Sequence, residues 1–543
     1  MLILKNSRLF QRDFFVILLL LAGVHLLFAC TVQAGFVTDF TGLQWRLDGA
    51  PFSDFLNCFG FPALNQVANF FLYFFYHAFG TNGLPWYLVY TTLHVVNGFL
   101  GYKLGEKIFA RSGFAAPHIP ALMASLLFVF NPYSVEPVVW RVCFNFLFCT
   151  LLMLGSLWQL LKFLETQSRR SLILSHVFFG LALFTFELAV TFPLLAWVLA
   201  FAWQPDGAGR RRFLKFYFLP QSLLLTLYFL LNKLLLGGWV GHYGAAVHLK
   251  FNLPAIAGNL LKYFTKYGLF WREWPHGKKE ALVQFASQPA VGWAALATGA
   301  ALLAAGVYFY KKCPFRLRQT GIGWLLFFVA LLPVSNLYVA WILHGENDRY
   351  GYFASVFFFM GLTALLFYLP RILRYGAFAT LLLLSVFFLN RTVRFWENGS
   401  RIFYSLLEDF RWQNAPEVYV LAFPENYAGI PVFKDFSRQD LALKDALKYS
   451  AGKEVKGQVF QIAQFNMNSP EDGVSVKTDS LNRFSVNFNQ WGNWWWRNGI
   501  GTWNYETGKY RFTVEGNGSK VEIKDPAPGA VFIYSIGGKW YEQ

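Results

Sequence analysis

Acid is scarce in this sequence. Its 543 residues hold 30 Asp and Glu against 47 Lys and Arg, and only 14% are charged. Soluble domains carry about a quarter, so one large water-soluble domain is excluded. Cysteine is scarce as well. The five residues (Cys30, Cys58, Cys143, Cys149 and Cys313) are scattered, with no CxxC pair and no Cys/His spacing, which excludes a zinc site. No internal repeat or low-complexity tract is present, and the two halves show no similarity of the kind that transporters built from repeats display.

What is there is apolar and aromatic. Hydrophobic residues make up 55% of the chain and aromatic residues 20%, with 62 Phe, and the mean hydropathy is +0.37. Apolar runs of about 18 residues or more recur, which reads as a polytopic membrane protein. The net charge of +17 would suit nucleic acid. The bases instead cluster in short loops between apolar runs, as the positive-inside rule requires, and no nucleic-acid partner is expected.

Lys5, Arg8 and Arg12 precede "FFVILLLLAGVHLLFACTVQ", which has no small-residue cleavage site and reads as an uncleaved signal-anchor with a cytoplasmic N-terminus. Alternating the basic loops through Lys103, Arg169, Arg210 and Arg371 predicts about eleven membrane helices over residues 1–409. Two outer loops follow from that count, 34–84 and 237–290. Each holds an expected interfacial helix, "NQVANFFLYFFYHAFG" in the first and "LLKYFTKYGLFWREWPHGKK" in the second. The second loop carries Lys262, Lys266, Arg272, Lys278 and Lys279, to be read either as a solvated face or as a surface for an anionic lipid headgroup. Residues 410–543 change character. "EVYVLAF" reads as a strand, "RQDLALKDALKYSAG" as a helix and "YRFTVEGNGSKVEI" as a hairpin, so a strand-rich α+β domain is expected on the outer side.

Acid does appear where the first helix ends. "GFVTDFTGLQWRLDGAPFSDF" holds Asp39, Asp48 and Asp54. Asp48, in "LDGAP", reads as a solvated turn residue. Asp39 lies among Phe36, Val37 and Phe40. A carboxylate held at that depth loses solvation, which suits it to take a proton.

An acid just after the first membrane helix, in a large first outer loop, resembles the GT-C superfamily of polyprenyl-phosphate-sugar-dependent glycosyltransferases. Further segments resemble the branch that includes TMTC-type O-mannosyltransferases and their bacterial relatives. "PWYLVYTTLHVVNGFLGYKL" has that branch's His then Asn at His94 and Asn97. "FNPYSVEPVVW" keeps Pro132 and Glu136 of its His-Pro-x-His-x-Glu signature, with Asn131 and Ser134 where the histidines stand. "FTFELAVTFPLL" keeps Glu187, and "LLPVSNLYVAWILHGENDRYGYFAS" keeps Arg349, Tyr350 and Tyr352. The resemblance covers roughly residues 10–410, the region of the membrane helices.

The resemblance implies an enzyme that moves a hexosyl or pentosyl group, with inversion, from a polyprenyl-phosphate carrier to a glycan, lipid or protein acceptor outside a bacterial inner membrane. Asp39 would be the catalytic base. Arg349 would hold the departing phosphate, against the plainer roles of snorkelling or pairing with Glu346 or Asp348. His94 would be a second phosphate donor or a packed histidine. Glu136, Glu187 and Tyr350 would support them. The tail cluster "NQWGNWWWRNGIGTWNY" would offer Trp494, Trp495 and Trp496 to an acceptor sugar, unless those indoles are core or membrane contacts. No cofactor is expected, since one acid at 39 favours metal-free chemistry over a metal held by paired acids. A lipid-linked glycan flippase and an O-antigen-type polymerase or ligase are the competing readings.

Overall fold

The computed structural model describes residues 2–49, 51–56, 63–203, 207–239, 252–308, 315–337, 347–433, 441–489, 495–496, 503–516 and 518–543. Apolar runs become helices and the tail becomes sheet. Among the described residues, five helices are long and apolar enough to cross a membrane: Gln11–Thr31, Arg141–Thr166, Gly207–Leu236, Asp348–Leu366 and Arg371–Asp409. A sixth would be the pair His118–Val129 and Pro132–Val139, bent by 60° at its join. The bend is local chemistry. Pro132 has no N–H to continue the helix, and the Asn131 side chain accepts from the backbone N–H of Tyr133 at 2.9 Å.

Of the other segments expected to cross, Gly83–Arg111 has 29 residues, but two are short. Arg169–Leu183 has 15 residues and Phe192–Trp203 has 12, against the 20 or so that a hydrocarbon core requires. Between them the chain breaks into a 3-10 turn, Glu187–Thr191. The expected interfacial helix of the first loop forms as Gln66–Phe79. It packs Phe71 and Phe75 on Phe144 and leaves Phe70 and Phe74 exposed.

The last helix, Arg371–Asp409, has 39 residues and so runs about 58 Å. It is too long to lie wholly within a bilayer, and it acts as a post. Its distal end carries the strand-rich domain. Trp540 donates its indole N–H to Leu406 O at 2.7 Å, and Lys453 donates to the carbonyls of Leu407, Glu408 and Phe410 at 2.9, 2.6 and 2.9 Å. Those are end-of-helix carbonyls without helical partners, so Lys453 caps the post.

The central strand of that domain, Glu417–Tyr427, lies parallel to Val531–Ile536, Gln458–Gln461 and Gln464–Met467. A second, antiparallel sheet includes the expected hairpin. Tyr510–Glu515 pairs with Gly518–Ile523 across Gly516 at φ +58°. The central strand descends beside the post, placing Tyr427 against Phe395.

Candidate functional site

The site forms where the first loop meets three later segments. Asp39 opens the helix Asp39–Gly49 and is partly exposed. Thr38, the residue before it, is buried at φ +55°, a left-handed conformation that a β-branched residue rarely adopts. The loop ahead of it is seated on the segment 135–143. The backbone N–H of Arg141 donates to Gly35 O at 3.1 Å, and a Cβ at Gly35 would lie 2.1 Å from Val139 O. Trp140 donates its indole N–H to Val37 O at 3.4 Å.

On the other face of Trp140 lies Arg349, its guanidinium carbon 5.2 Å from the indole centre and 4.7 Å from the Tyr350 ring. Glu136 holds Arg349 twice. One carboxylate oxygen accepts from the Arg349 backbone N–H at 2.7 Å, and the other pairs with the guanidinium. The Cys143 thiol lies within electrostatic reach of Arg349, Glu136 and Asp39 alike. Acid, ion pair and first loop therefore share one locality, although Glu136 and Arg349 are 213 residues apart.

Asp348 faces the opposite way and binds Lys266 and Arg272 together, all three almost wholly buried. Three tyrosines surround the amine. Lys266 Nζ lies 4.6, 5.5 and 5.7 Å from the ring centres of Tyr133, Tyr263 and Tyr267. Among the described residues, the hydroxyls of those tyrosines have no hydrogen-bond partner. Both cations sit in a poorly solvated place beside one another, and the effect shows at the lysine. Burial pushes Lys266 down to about 8, with Arg272 adding to the effect. Burial lowers Arg272 too, but Asp348, Tyr133 and Glu273 outweigh it and the net direction is up. Gly351 makes this packing attainable, since a Cβ there would lie 2.2 Å from the Tyr267 hydroxyl.

Several expectations need correction. The helix Leu253–Leu269 does not present its lysines to water. Lys262, Tyr263, Lys266 and Tyr267 are buried, because positions four apart share a helix face and this face packs inward. Lys279 is also buried, and burial pushes its amine down to about 8. Arg349 pairs with Glu136 and not with Asp348, whose carboxylate is committed to the two other cations. Glu346 lies outside the described residues.

His94 is seated as a packed histidine. It is fully buried, with one ring nitrogen 2.7 Å from the Tyr352 hydroxyl and the other 2.9 Å from Val129 O, so neither is presented to a phosphate. Asp48 is not a turn residue. The helix continues to Gly49, and Asp48 accepts a hydrogen bond from the Tyr76 hydroxyl. Asp54 is exposed in the short helix Phe52–Leu56.

Glu187 stands one layer out, at the start of its 3-10 turn. Its neighbour Phe186 packs 4.4 Å from Phe146, and Phe146 lies 5.7 Å from Tyr350. Trp494 lies outside the described residues. Trp495 and Trp496 form a two-residue strand pairing with Phe465 and Gln464. Among the described residues, no group of three His, Cys, Asp or Glu is arranged to hold a metal ion.

Reading the sequence missed Arg141 and Trp140. Arg141 is fully buried and donates to Thr31 O at 3.2 Å and Val32 O at 3.3 Å, beneath the ring of Tyr90. Its signal was a charge inside the apolar run "VVWRVCF", which normally marks a structural or functional site. Compared with known proteins, the chain matches no protein-family model, no curated protein and no solved structure.

Proposed function

We propose that this chain is a membrane glycosyltransferase that moves a sugar, with inversion, from a polyprenyl-phosphate carrier to an acceptor on the outer side of a bacterial inner membrane. One observation carries the reading: Asp39, the Glu136–Arg349 pair and the Lys266–Arg272–Asp348 cluster lie on neighbouring segments beside the end of the first membrane helix. A lipid whose tail lies in the bilayer presents its headgroup at that depth. In this reading about eleven helices cross the membrane, some of them broken, with the N-terminus cytoplasmic.

The division of labour follows from charge. An acceptor hydroxyl attacks the anomeric carbon while Asp39 takes its proton. The C–O bond to the carrier phosphate breaks, and the phosphate leaves with the bonding electrons. A sugar-linked phosphodiester carries one negative charge, and the departing monoester carries about −1.5 to −2 at neutral pH. Cations that gain most after departure lower the barrier. Arg349 offers a planar fork over the Trp140 ring, whose N–H donates to Val37 O two residues before Asp39. Lys266 and Arg272, both bound to Asp348, place two further cations on the segment next to Arg349. The unpartnered hydroxyls of Tyr133, Tyr263 and Tyr267 are donors of the kind that phosphate and sugar oxygens accept.

The test is to incubate purified protein with a panel of polyprenyl-phosphate sugars and score free polyprenyl phosphate. Release from at least one donor is expected. No release from any donor, with an acceptor-rich membrane extract supplied, would overturn the reading.

A further inference from the structure

The strand-rich domain has no part in the chemistry above, yet it reaches the helix that begins with Asp39. Gln44, five residues along that helix and buried, donates its side-chain amide to Tyr449 O at 2.7 Å. Tyr449 lies in a π-helical turn, Ala446–Ser450, of the C-terminal domain. Such turns are rare and are over-represented at functional sites. At the far end of the same helix, Asp48 accepts from Tyr76. At its near end, the rings of Phe36, Phe40 and Trp86 lie 4.9 to 5.9 Å apart. Of these three holds, the middle one comes from the C-terminal domain.

That domain is itself fixed to the post. Lys453 caps the post carbonyls, Trp540 binds Leu406 O, and Ser405 donates to Gly538 O at 2.8 Å. Left-handed Thr38 gives the fixation a purpose. A strained residue persists only where its surroundings over-determine it, and the helix it introduces has just 11 residues. An isolated helix of that length is marginal. Without a hold at its middle, the turn at Thr38 would relax and carry Asp39 with it.

We propose that the C-terminal domain is a bracket that fixes the base-bearing helix, with Gln44 as a positioning residue that acts through Asp39. The inference rests on the reading of Asp39 as the base. A base displaced by about 1 Å costs up to roughly 10²-fold in rate. The carrier phosphate is bound by other segments, so donor affinity should be spared.

The experiment uses the full-length protein in detergent or nanodiscs, with Gln44→Leu at the contact and Lys453→Met where the same part of the domain grips the post. The second variant keeps the question open to refutation should the first fail to fold. Amide exchange over residues 39–49 is expected to speed up about tenfold or more in both variants, while residues 144–166 stay unchanged. Release of polyprenyl phosphate should fall roughly tenfold in kcat, with donor KM within about twofold. Unchanged exchange over 39–49 in both variants would overturn the bracket. So would a loss of donor binding equal to the loss of turnover, which would make Gln44 a general fold contact. Failure of the base assignment reads differently: exchange would still rise, and Asp39→Asn would retain transfer.

Discussion

Near the N-terminus, Arg12 and Lys103 pair with Asp13 and Glu106, and Lys107 pairs with Glu165. In the candidate site, Lys266 and Arg272 pair with Asp348, and Arg349 with Glu136. The contacts are of one chemical kind. Side chains of the first group are 15–35% exposed and have carboxylates to match their cations. Those around Asp348 are only 1–2% exposed, with two cations on one acid. Water supports the first cluster. The second must be supported by protein, because water does not reach its charges. The difference marks one end as a clamp and the other as a site.

The sharpest way to break the comparison is to unbalance the buried end. Glu136→Gln keeps the shape of the side chain but leaves the Arg349 guanidinium facing a neutral amide. Removing one partner of a buried ion pair typically costs about 3–5 kcal/mol. Chemical or thermal unfolding in detergent should show a loss of that order. A loss under about 1 kcal/mol would mean that the pair is hydrated and that the two ends do not differ as described.

Next in size is the chemical step. Asp39→Asn removes the base while keeping the shape, and transfer should fall by about 10²-fold or more with donor binding retained. Arg349→Ala should weaken both binding and turnover, and Arg349→Lys should restore only part, because a point charge does not replace a planar fork. Steady-state kinetics on the donor that gives release would decide. Full activity in Asp39→Asn would move the base elsewhere and leave the polar end without its proposed chemistry.

How much of this was readable beforehand depends on the range of the interaction. Local rules served well. The apolar run after Arg12 became a helix, and Gly516 turned the expected hairpin. Longer-range facts carried no local trace. Nothing in "EVYVLAF" indicates that its partners are parallel and lie as much as 113 residues on, as in Val418 with Val531. Nor does Glu136 reveal that its cation is Arg349. Of the two readings of Lys262 and Lys266, the solvated face fails, and the four-residue spacing they share with Tyr263 and Tyr267 already described one helix face. Asp48 was misread because Gly49 and Pro51 resemble a turn, whereas they end a helix.

Lys266 gives a pH test of intermediate size. Its folded-state amine is held down to about 8 by burial, while an unfolded lysine titrates near 10.4. Between those values the unfolded chain binds more protons, so stability should rise with pH, by roughly 1–3 kcal/mol across the window. Below about pH 8 the cost of burying the charge is fully present. Lys266→Met should remove about half of the rise, since Lys279, also held down to about 8 by burial, adds to it over the same window, and should leave Asp348 paired with Arg272 alone. Melting curves from pH 7.5 to 10.5 would show it, and a variant that kept the wild-type slope would place the titrating group elsewhere.

The smallest effect belongs to the solvated end, and it completes the contrast. Lys107 pairs with Glu165 and lies over the ring of Trp158 at 5.0 Å, which at first sight makes it as well connected as Lys266. Its side chain is 21% exposed and that of Glu165 is 35% exposed, so water can replace either partner. Ion pairs of that kind contribute about 0–1 kcal/mol, and salt screens them further. Lys107→Met keeps the aliphatic stem on the indole and removes only the charge. It should therefore cost less than about 1 kcal/mol, change nothing in donor turnover, and lose even that cost at high ionic strength. A penalty of 3 kcal/mol or more that persisted in 1 M salt would show that the N-terminal end is as dry as the other. Burial could then no longer separate clamp from site.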